Sequence, residues 1–391
     1  MRSKAFFING GAGRVICAIP ALEKYEEQNP DDDFIIVAEG GTDFFKGHPT
    51  LFKKTYDSWH KNLFRDKLKD RDIVSTEPYR IWEYYNQKCN LSQAYDIQIN
   101  GEGVRELQKP TIRLSRQEAI NAKFIVEEVR QKTKKDKVVV FQPFGRGSQM
   151  VGNFVTDPSG RSFEFTNVVS IIKKLQKKYA VIYFGEMEFD FSKEGCKDPV
   201  AHPKGIDLRQ WSGIVSESDL FIGCDSVGQH MAYSFDVPAV VVVGSTCKEN
   251  ISYPGCEKFD VLDMGEGQRI YDPIRVAADE VTQRQNDGIM AMNGAIEDVI
   301  IKSTDKLMNK YYVRKKDTVI LPGQDGAPTG SCGMPQGQPA QMPGFTSGEV
   351  TPATLPGTSK KSVSAVESLL KESGVQAKSN SKKGFVETVK N

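Results

Sequence analysis

The densest group of reactive side chains in the sequence is Gly223-Cys224-Asp225-Ser226-Val227-Gly228-Gln229-His230. It stands between a short apolar run and a helical pattern. Asp225 falls at the end of the predicted strand, and Ser226 is a natural helix cap. His230 lies one turn further on the same side. Core packing has no need of such a polar group. A second loop, Gly244-Ser245-Thr246, follows the apolar run from Ala239 to Val243 and offers small hydroxyls and free backbone N–H groups. Two such loops side by side suit a phosphate. A third, Phe141-Gln142-Pro143-Phe144-Gly145-Arg146-Gly147-Ser148, supplies Arg146, with Arg161 further on. A guanidinium is a fixed fork of donors that can hold a diphosphate. The fourth is Gly10-Gly11-Ala12-Gly13-Arg14, where Gly11, Gly13 and Arg14 could line a phosphate cleft. Glycines let a backbone approach a ligand closely, and a helix start attracts anions. Its spacing is not the dinucleotide fingerprint Gly-x-Gly-x-x-Gly.

The elements that must hold these loops are strands alternating with helices. Strands are expected at Phe6 to Asn9, Phe34 to Ala38, Asp96 to Ile99, Val138 to Phe141, Val181 to Phe184, Leu220 to Gly223, Ala239 to Val243 and Phe259 to Asp263. Helices are expected from Val15 to Asn29, Arg116 to Lys135, Asn167 to Tyr179, Leu208 to Ser216, Gly228 to Phe235 and Val276 to Tyr312. Short, nearly all-apolar strands separated by helices imply parallel sheets covered on both faces. The expected fold class is therefore α/β, with two doubly wound Rossmann-like domains facing a cleft. Ligands of such sheets bind at the carboxyl ends of the strands, where the four loops lie. The expected division is a first Rossmann-like domain (1–134), a second Rossmann-like domain (135–275), C-terminal helices (276–318) and a tail (319–391).

Composition narrows the classes. The chain has 391 residues, 52 Lys+Arg against 51 Asp+Glu, and 39% hydrophobic residues. A net charge of +1 excludes a uniformly basic nucleic-acid coat and an acidic disordered chain. No apolar run reaches the length of a membrane span. The run after Lys4 is too short for a signal peptide, so a cytoplasmic location is expected, or a host's cytoplasm if the gene is a phage's. Seven cysteines without Cys-x-x-Cys spacing read as reduced thiols. From Pro322 to Thr358 there are 7 Pro and 8 Gly in 37 residues, which reads as a flexible linker. Beyond it, Ser364 to Ser373 reads as a short amphipathic helix or a frayed tail, and in the first case as a docking segment for a protein partner. Asp31-Asp32-Asp33 holds an Asp-x-Asp pattern but precedes a strand, away from the expected site. The four histidines lack metal spacing, and neither a nucleophile elbow nor a Walker lysine is present.

Ser218 to Ala232 and Val237 to Thr246 together resemble the GT-B glycosyltransferases of the ADP-heptose:lipopolysaccharide heptosyltransferase type. That family carries Asp-Thr-Gly-x-x-His-x-Ala followed by a Pro-led strand ending Gly-x-Thr. Gly10 to Leu22 is similar to its Gly-Asp-x-x-x-x-x-Pro-x-Leu opening, and Ala94-Tyr95-Asp96-Ile97-Gln98-Ile99 to its Tyr-Asp strand. The likeness runs over roughly residues 5 to 265. It implies an inverting, metal-independent transfer from a nucleotide sugar, with no cofactor. Asp225 would hold sugar hydroxyls, and Ser226, Gly228 and the helix start would hold the diphosphate near His230. Gly244, Ser245 and Thr246 would complete the wall, and the cleft would close on binding.

Two positions depart from the family pattern. Val227 stands where the family has glycine, with Gly228 one place later. Arg14 stands where the family has its catalytic Asp. An inverting transfer needs a carboxylate to take the acceptor's proton, and arginine cannot. Asp43 and Glu39, just after the second strand, are the best-placed substitutes, with Asp43 preferred. Residues 46 to 71 carry eight Lys/Arg against three acids, interleaved with Phe52, Tyr56, Trp59 and Phe64. This suits an anionic acceptor, either a phosphorylated lipopolysaccharide core or DNA with a hydroxymethylated base; a solvated charged helix is the plainer reading. Two further readings stay open: a silent nucleotide-sugar or glycan-binding protein on the same fold, and an epimerase acting on the nucleotide sugar alone.

Overall fold

The computed structural model describes residues 2–152, 154–273 and 286–313. The Pro/Gly-rich linker, the segment from Ser364 to Ser373 and Cys332 lie outside the described residues, as do positions 276–285 of the expected last helix.

The first sheet contains β1 (Lys4–Ile8), β2 (Ile35–Ala38), β3 (Thr55–Asp57) and β4 (Asp72–Thr76), in the order β3-β2-β1-β4. All pairings are parallel, with Ala5 opposite Ile35 and Ile73. β1 is followed by α1 (Ala12–Gln28), and Gly10, at φ 99°, makes the bend between them. Only glycine enters that region without strain. Two short helices follow β4, α2 (Trp82–Tyr85) and α3 (Leu91–Asn100), and α3 packs along α1.

α3 corrects one expectation. Asp96 to Ile99 is helix, not strand, so the likeness to a Tyr-Asp strand fails there. Alternating Tyr95, Ile97 and Ile99 imitate a period of two. The buried set Leu91, Ala94, Tyr95 and Ile99 has helical spacing instead. Asn90 and Gln93 close a reciprocal capping box at its start, and Gly101 at φ 72° ends it.

α4 (Arg116–Thr133) leads into the second sheet. That sheet comprises β5 (Val138–Gln142), β8 (Ala180–Tyr183), β9 (Leu220–Cys224), β10 (Ala239–Val243) and β11 (Phe259–Asp263). The order is β11-β10-β9-β5-β8, again all parallel. Between β5 and β8 run a two-stranded hairpin, β6 (Gln149–Val151) and β7 (Phe154–Thr156), and α5 (Phe165–Leu175). α6 (Leu208–Glu217) precedes β9, α7 (Val227–Ser234) joins β9 to β10, and α8 (Lys248–Ile251) joins β10 to β11. α9 (Gly294–Tyr311) starts only where the Asn293 side chain accepts the N–H of Ile296; residues 286–293 are turn and coil rather than the expected helix.

Two more expectations shift. The strands β3 and β4 and the hairpin went unread, because each is short and polar or exposed. Residues 46 to 71 are not one charged helix but turns, β3 and a single wide turn at Phe64–Leu68. α4, placed with the first domain by a boundary at 134, packs on α6 and β8 of the second sheet.

Both sheets lie in one unit, Met1–Thr318. One apolar core runs through them, joining Phe6, Ile16 and Ile36 to Val138, Phe221 and Val241. A second core, on the far face of the second sheet, buries Phe141, Ile172 and Ile222 against α5 and α9. In the second sheet β5 is flanked by β8 on one side and β9 on the other, so its connections diverge there. Gln142–Arg146 and Asp225–Ser226 follow the carboxyl ends of β5 and β9 at that point, where ligands of such sheets bind.

Candidate functional site

Asp225 follows β9 directly and is 3% exposed. Its Oδ1 accepts from Gln229 Nε2 at 3.2 Å, one turn along α7. Its Oδ2 is buried with no hydrogen-bond partner among the described residues, and Arg161 Nη1 lies 3.8 Å away. A buried carboxylate oxygen left without a donor costs stability. Such a cost is typical of a group kept for a ligand.

Ser226 occupies the cap position of α7, but its side chain makes no capping bond. The α7 N–H groups are served differently: Gln142 Oε1 accepts from the N–H of Gly228 at 2.9 Å. A Cβ on Gly228 would stand 2.4 Å from that oxygen and 2.5 Å from the Phe221 ring, so glycine is what lets the start of α7 press onto the sheet. The Ser226 hydroxyl is left for another acceptor, at the end of a helix whose dipole favours anions.

Gly244, Ser245 and Thr246 are buried at the end of β10. Arg269 Nε donates to the Gly244 carbonyl at 2.6 Å and pairs with the buried Asp263 carboxylate. Ser245 donates to the Ser159 carbonyl at 2.5 Å. Thr246 Oγ1 is buried without a partner among the described residues. The segment Asp157-Pro158-Ser159-Gly160-Arg161-Ser162 locks this wall to the loop after β5. Asp157 accepts from both Ser159 and Ser162, at 2.5 Å each. Ser162 in turn accepts from the N–H of Gly145, and Ser159 accepts from Arg161 Nε at 2.9 Å. Arg161 thereby reaches Asp225 from a braced position. Burial raises the Asp157 pKa, but the Ser159 and Ser162 hydroxyls, the Ser159 N–H and the Arg161 charge outweigh it and hold Asp157 below the ordinary range.

His230 departs from its expected place beside a diphosphate. It is buried, with Nδ1 2.8 Å from the Tyr253 hydroxyl and 3.5 Å from Cys17 Sγ. Burial lowers its pKa to about 4, opposed in part by Asp225, so the ring is neutral at physiological pH. Burial also pushes the Cys17 thiol up to about 12. The three side chains form a neutral polar contact between α1 and the loop after α8.

The Gly10–Arg14 turn faces the second sheet. A Cβ on Gly13 would lie 3.2 Å from the His230 ring, and one on Gly11 3.4 Å from Arg146 Nη1. Arg14 folds back over the turn. Its Nη1 donates to the Asn9 carbonyl at 2.9 Å, its Nε to the Tyr79 hydroxyl at 3.2 Å, and its guanidinium stacks 4.4 Å from the Tyr79 ring. Of the two candidate bases, Glu39 accepts from the N–H of Gly10 at 2.6 Å. Asp43 is exposed and pairs with Lys46. Its backbone carbonyl accepts from the buried Arg209 of α6 at 3.0 Å, so its loop is tied to α6.

Asp225, Ser226 and Arg161 are thus brought together at the end of β9, with Gly244–Thr246 tied to Arg161 through Ser159. Gln142, Gln229, Asp157 and Ser159 went unread. Asp157-Pro158-Ser159-Gly160 carries a turn signature that marks a built loop. The glutamines give no signal in sequence. No described group of three or more His, Cys, Asp or Glu side chains is placed to hold a metal ion.

No protein-family model matches the sequence, and no curated protein does. Among solved structures the chain is similar to glycosyl transferase family 9 from Veillonella parvula DSM 2008. The TM-score is 0.55 at 13% identity, over 79% of this chain and 98% of that one. E. coli ADP-heptose lps heptosyltransferase II gives a TM-score of 0.49 at 9% identity, over 79% and 99%. E. coli heptosyltransferase WaaC with ADP gives 0.44 at 12%, over 77% and 99%. At 13% identity the first likeness is one of fold: two Rossmann-like parallel sheets in the GT-B arrangement, as the sequence motifs implied.

Proposed function

We propose that this chain is a nucleotide-sugar-dependent glycosyltransferase of the heptosyltransferase type, working by inversion and without a metal. The observation that carries the reading is the Asp225 carboxylate, buried at the sheet's ligand edge with one oxygen that accepts no hydrogen bond among the described residues. Sugar hydroxyls are the donors such an oxygen lacks. The donor's diphosphate would meet the α7 start, Ser226 and Thr246, with Arg146 and Arg161 offsetting its charge. In the transfer, the acceptor hydroxyl oxygen forms the new bond to the anomeric carbon as the bond to phosphate breaks. The leaving nucleoside diphosphate keeps the electron pair. The hydroxyl proton passes to a carboxylate. Glu39 suits that step better than Asp43, because it already touches the Gly10 turn, whereas Asp43 is spent on Lys46.

The acceptor is proposed to be anionic. Trp59 and Phe64 are 86% and 69% exposed. Lys53, Lys61 and Lys69 have no ion-pair partner among the described residues. Exposed rings beside unpaired lysines fit a phosphorylated glycan core or DNA.

The test is incubation with a panel of nucleotide sugars, with and without phosphorylated glycan or hydroxymethylated DNA, following free nucleotide. Acceptor-dependent release with one donor is expected. Absence of binding and turnover with every donor would overturn the reading. A second reading, donor binding without transfer, is favoured by Arg14 at the family's base position; binding without release in any combination would select it.

A further inference from the structure

Two arginines, Arg14 in α1 and Arg146 in the loop after β5, stand over neighbouring glycines of one turn. The Arg14 guanidinium folds over Gly10, where a Cβ would stand 2.9 Å from its Nη1; Arg146 Nη1 would lie 3.4 Å from a Cβ on Gly11. Neither forms an ion pair among the described residues. Arg14 is held by a carbonyl, a phenol and a ring face, and its Nη2 is buried with no hydrogen-bond partner. Arg146 is exposed and makes no hydrogen bond within the described residues. Two unpaired cations placed over one turn repel each other unless an anion lies between them. Glu39 is engaged with the Gly10 N–H, and Glu77 acts on Arg14 through space without forming an ion pair with it.

We infer that Arg14 and Arg146 form a clamp for one phosphoryl group, made only when the first sheet's Gly10 turn meets the loop after β5. The inference deepens the glycosyltransferase reading and rests on it. Arg14 is then an anion ligand of the first domain, not a vacant base position. The clamp couples closure to the anion, because each domain supplies one half. The phosphoryl group belongs either to the donor's diphosphate or to a phosphorylated acceptor.

The test is calorimetric titration of the full chain with inorganic pyrophosphate, inorganic phosphate and ADP, for wild type, Arg14→Gln, Arg146→Gln and the double variant. Arg146 is exposed, so its replacement leaves folding intact, and Arg14→Lys guards against misfolding of Arg14→Gln by keeping the charge. Each single loss is expected to weaken the best-bound probe by about ten- to a hundredfold. The double variant should lose less than the product of the two, as for groups sharing one ligand. Weakened ADP in both variants assigns the clamp to the donor. Weakened inorganic phosphate with ADP unchanged assigns it to the acceptor. Arg14→Gln and Arg14→Lys leaving all three affinities within twofold of wild type would overturn it, as would strictly multiplicative losses. Sugar transfer is not read out. A chain that transfers nothing yet binds pyrophosphate through both arginines keeps the clamp and loses the enzyme.

Discussion

Gly13, in the first turn of α1, stands directly against the His230 ring of α7, where even a Cβ would fall 3.2 Å from the ring, tighter than ordinary contact. α1 and α7 meet there with only the His230 ring between them. Gly13→Val forces the larger group against a buried ring and the α7 backbone. A loss of about 1–3 kcal/mol is expected, typical of overpacking. Urea unfolding measures it; an unchanged midpoint would show that α1 and α7 do not touch in solution.

Gly228 is confined more tightly. Its missing Cβ would fall 2.4 Å from Gln142 Oε1 and 2.5 Å from Phe221. Gly228→Ala should cost about 2 kcal/mol or more, and Gln142→Ala about 1 kcal/mol through the lost N–H acceptor. The two residues touch, so the double variant should be less destabilised than the summed singles. Additive costs in denaturant titrations would contradict the contact.

Asp225→Asn separates function from stability. The amide keeps the bond from Gln229 but removes the charge that faces Arg161 3.8 Å away, so only a modest fall in melting temperature is expected. Donor-dependent nucleotide release should fall at least about a hundredfold. A large fall in melting temperature would mark Asp225 as a structural residue instead.

The two candidate bases give opposite outcomes. Glu39→Gln should slow transfer by about 10²–10⁴-fold, whereas Asp43→Asn, at an exposed ion pair, should change it little. Single-turnover rates with a fixed donor decide between them, and equal effects would point to another carboxylate.

Acid should destabilise the protein in two steps. The folded-state pKa of His230 is lowered to about 4 by burial. Folding therefore favours the neutral ring; that contribution is whole above about pH 6.5 and disappears as pH falls through 4. Glu118 is lowered to about 2, chiefly by its hydrogen bonds to Arg209. Its contribution is whole above the ordinary carboxylate range and disappears as pH falls toward 2. Each is worth at most about 3 kcal/mol. His230→Gln should flatten the first window and Glu118→Gln the second in urea midpoints taken from pH 7 to 2. Unaltered slopes would refute the assignments.

The sequence by itself determined the alternation of apolar runs and helical faces, and with it two parallel sheets and the loops at their carboxyl ends. Val139, Val181, Leu220 and Val240 are continuous apolar runs because both faces of their strands are covered. It also determined that Asp225, Ser226 and Thr246 lie at those ends, since strand and helix boundaries follow from short-range pattern. It did not determine what each side chain meets. His230 meets Tyr253 and Cys17, residues 23 and 213 positions away. Arg14 meets Tyr79, and Arg161 reaches Asp225 only because Ser159 and Asp157 brace it. Alternating Tyr95, Ile97 and Ile99 fitted a strand until the capping box at Asn90 and packing against α1 made them helix. Local propensity acts within a few residues, whereas burial and hydrogen-bond partners are fixed by chain segments far apart in sequence. Only the folded chain brings those segments together.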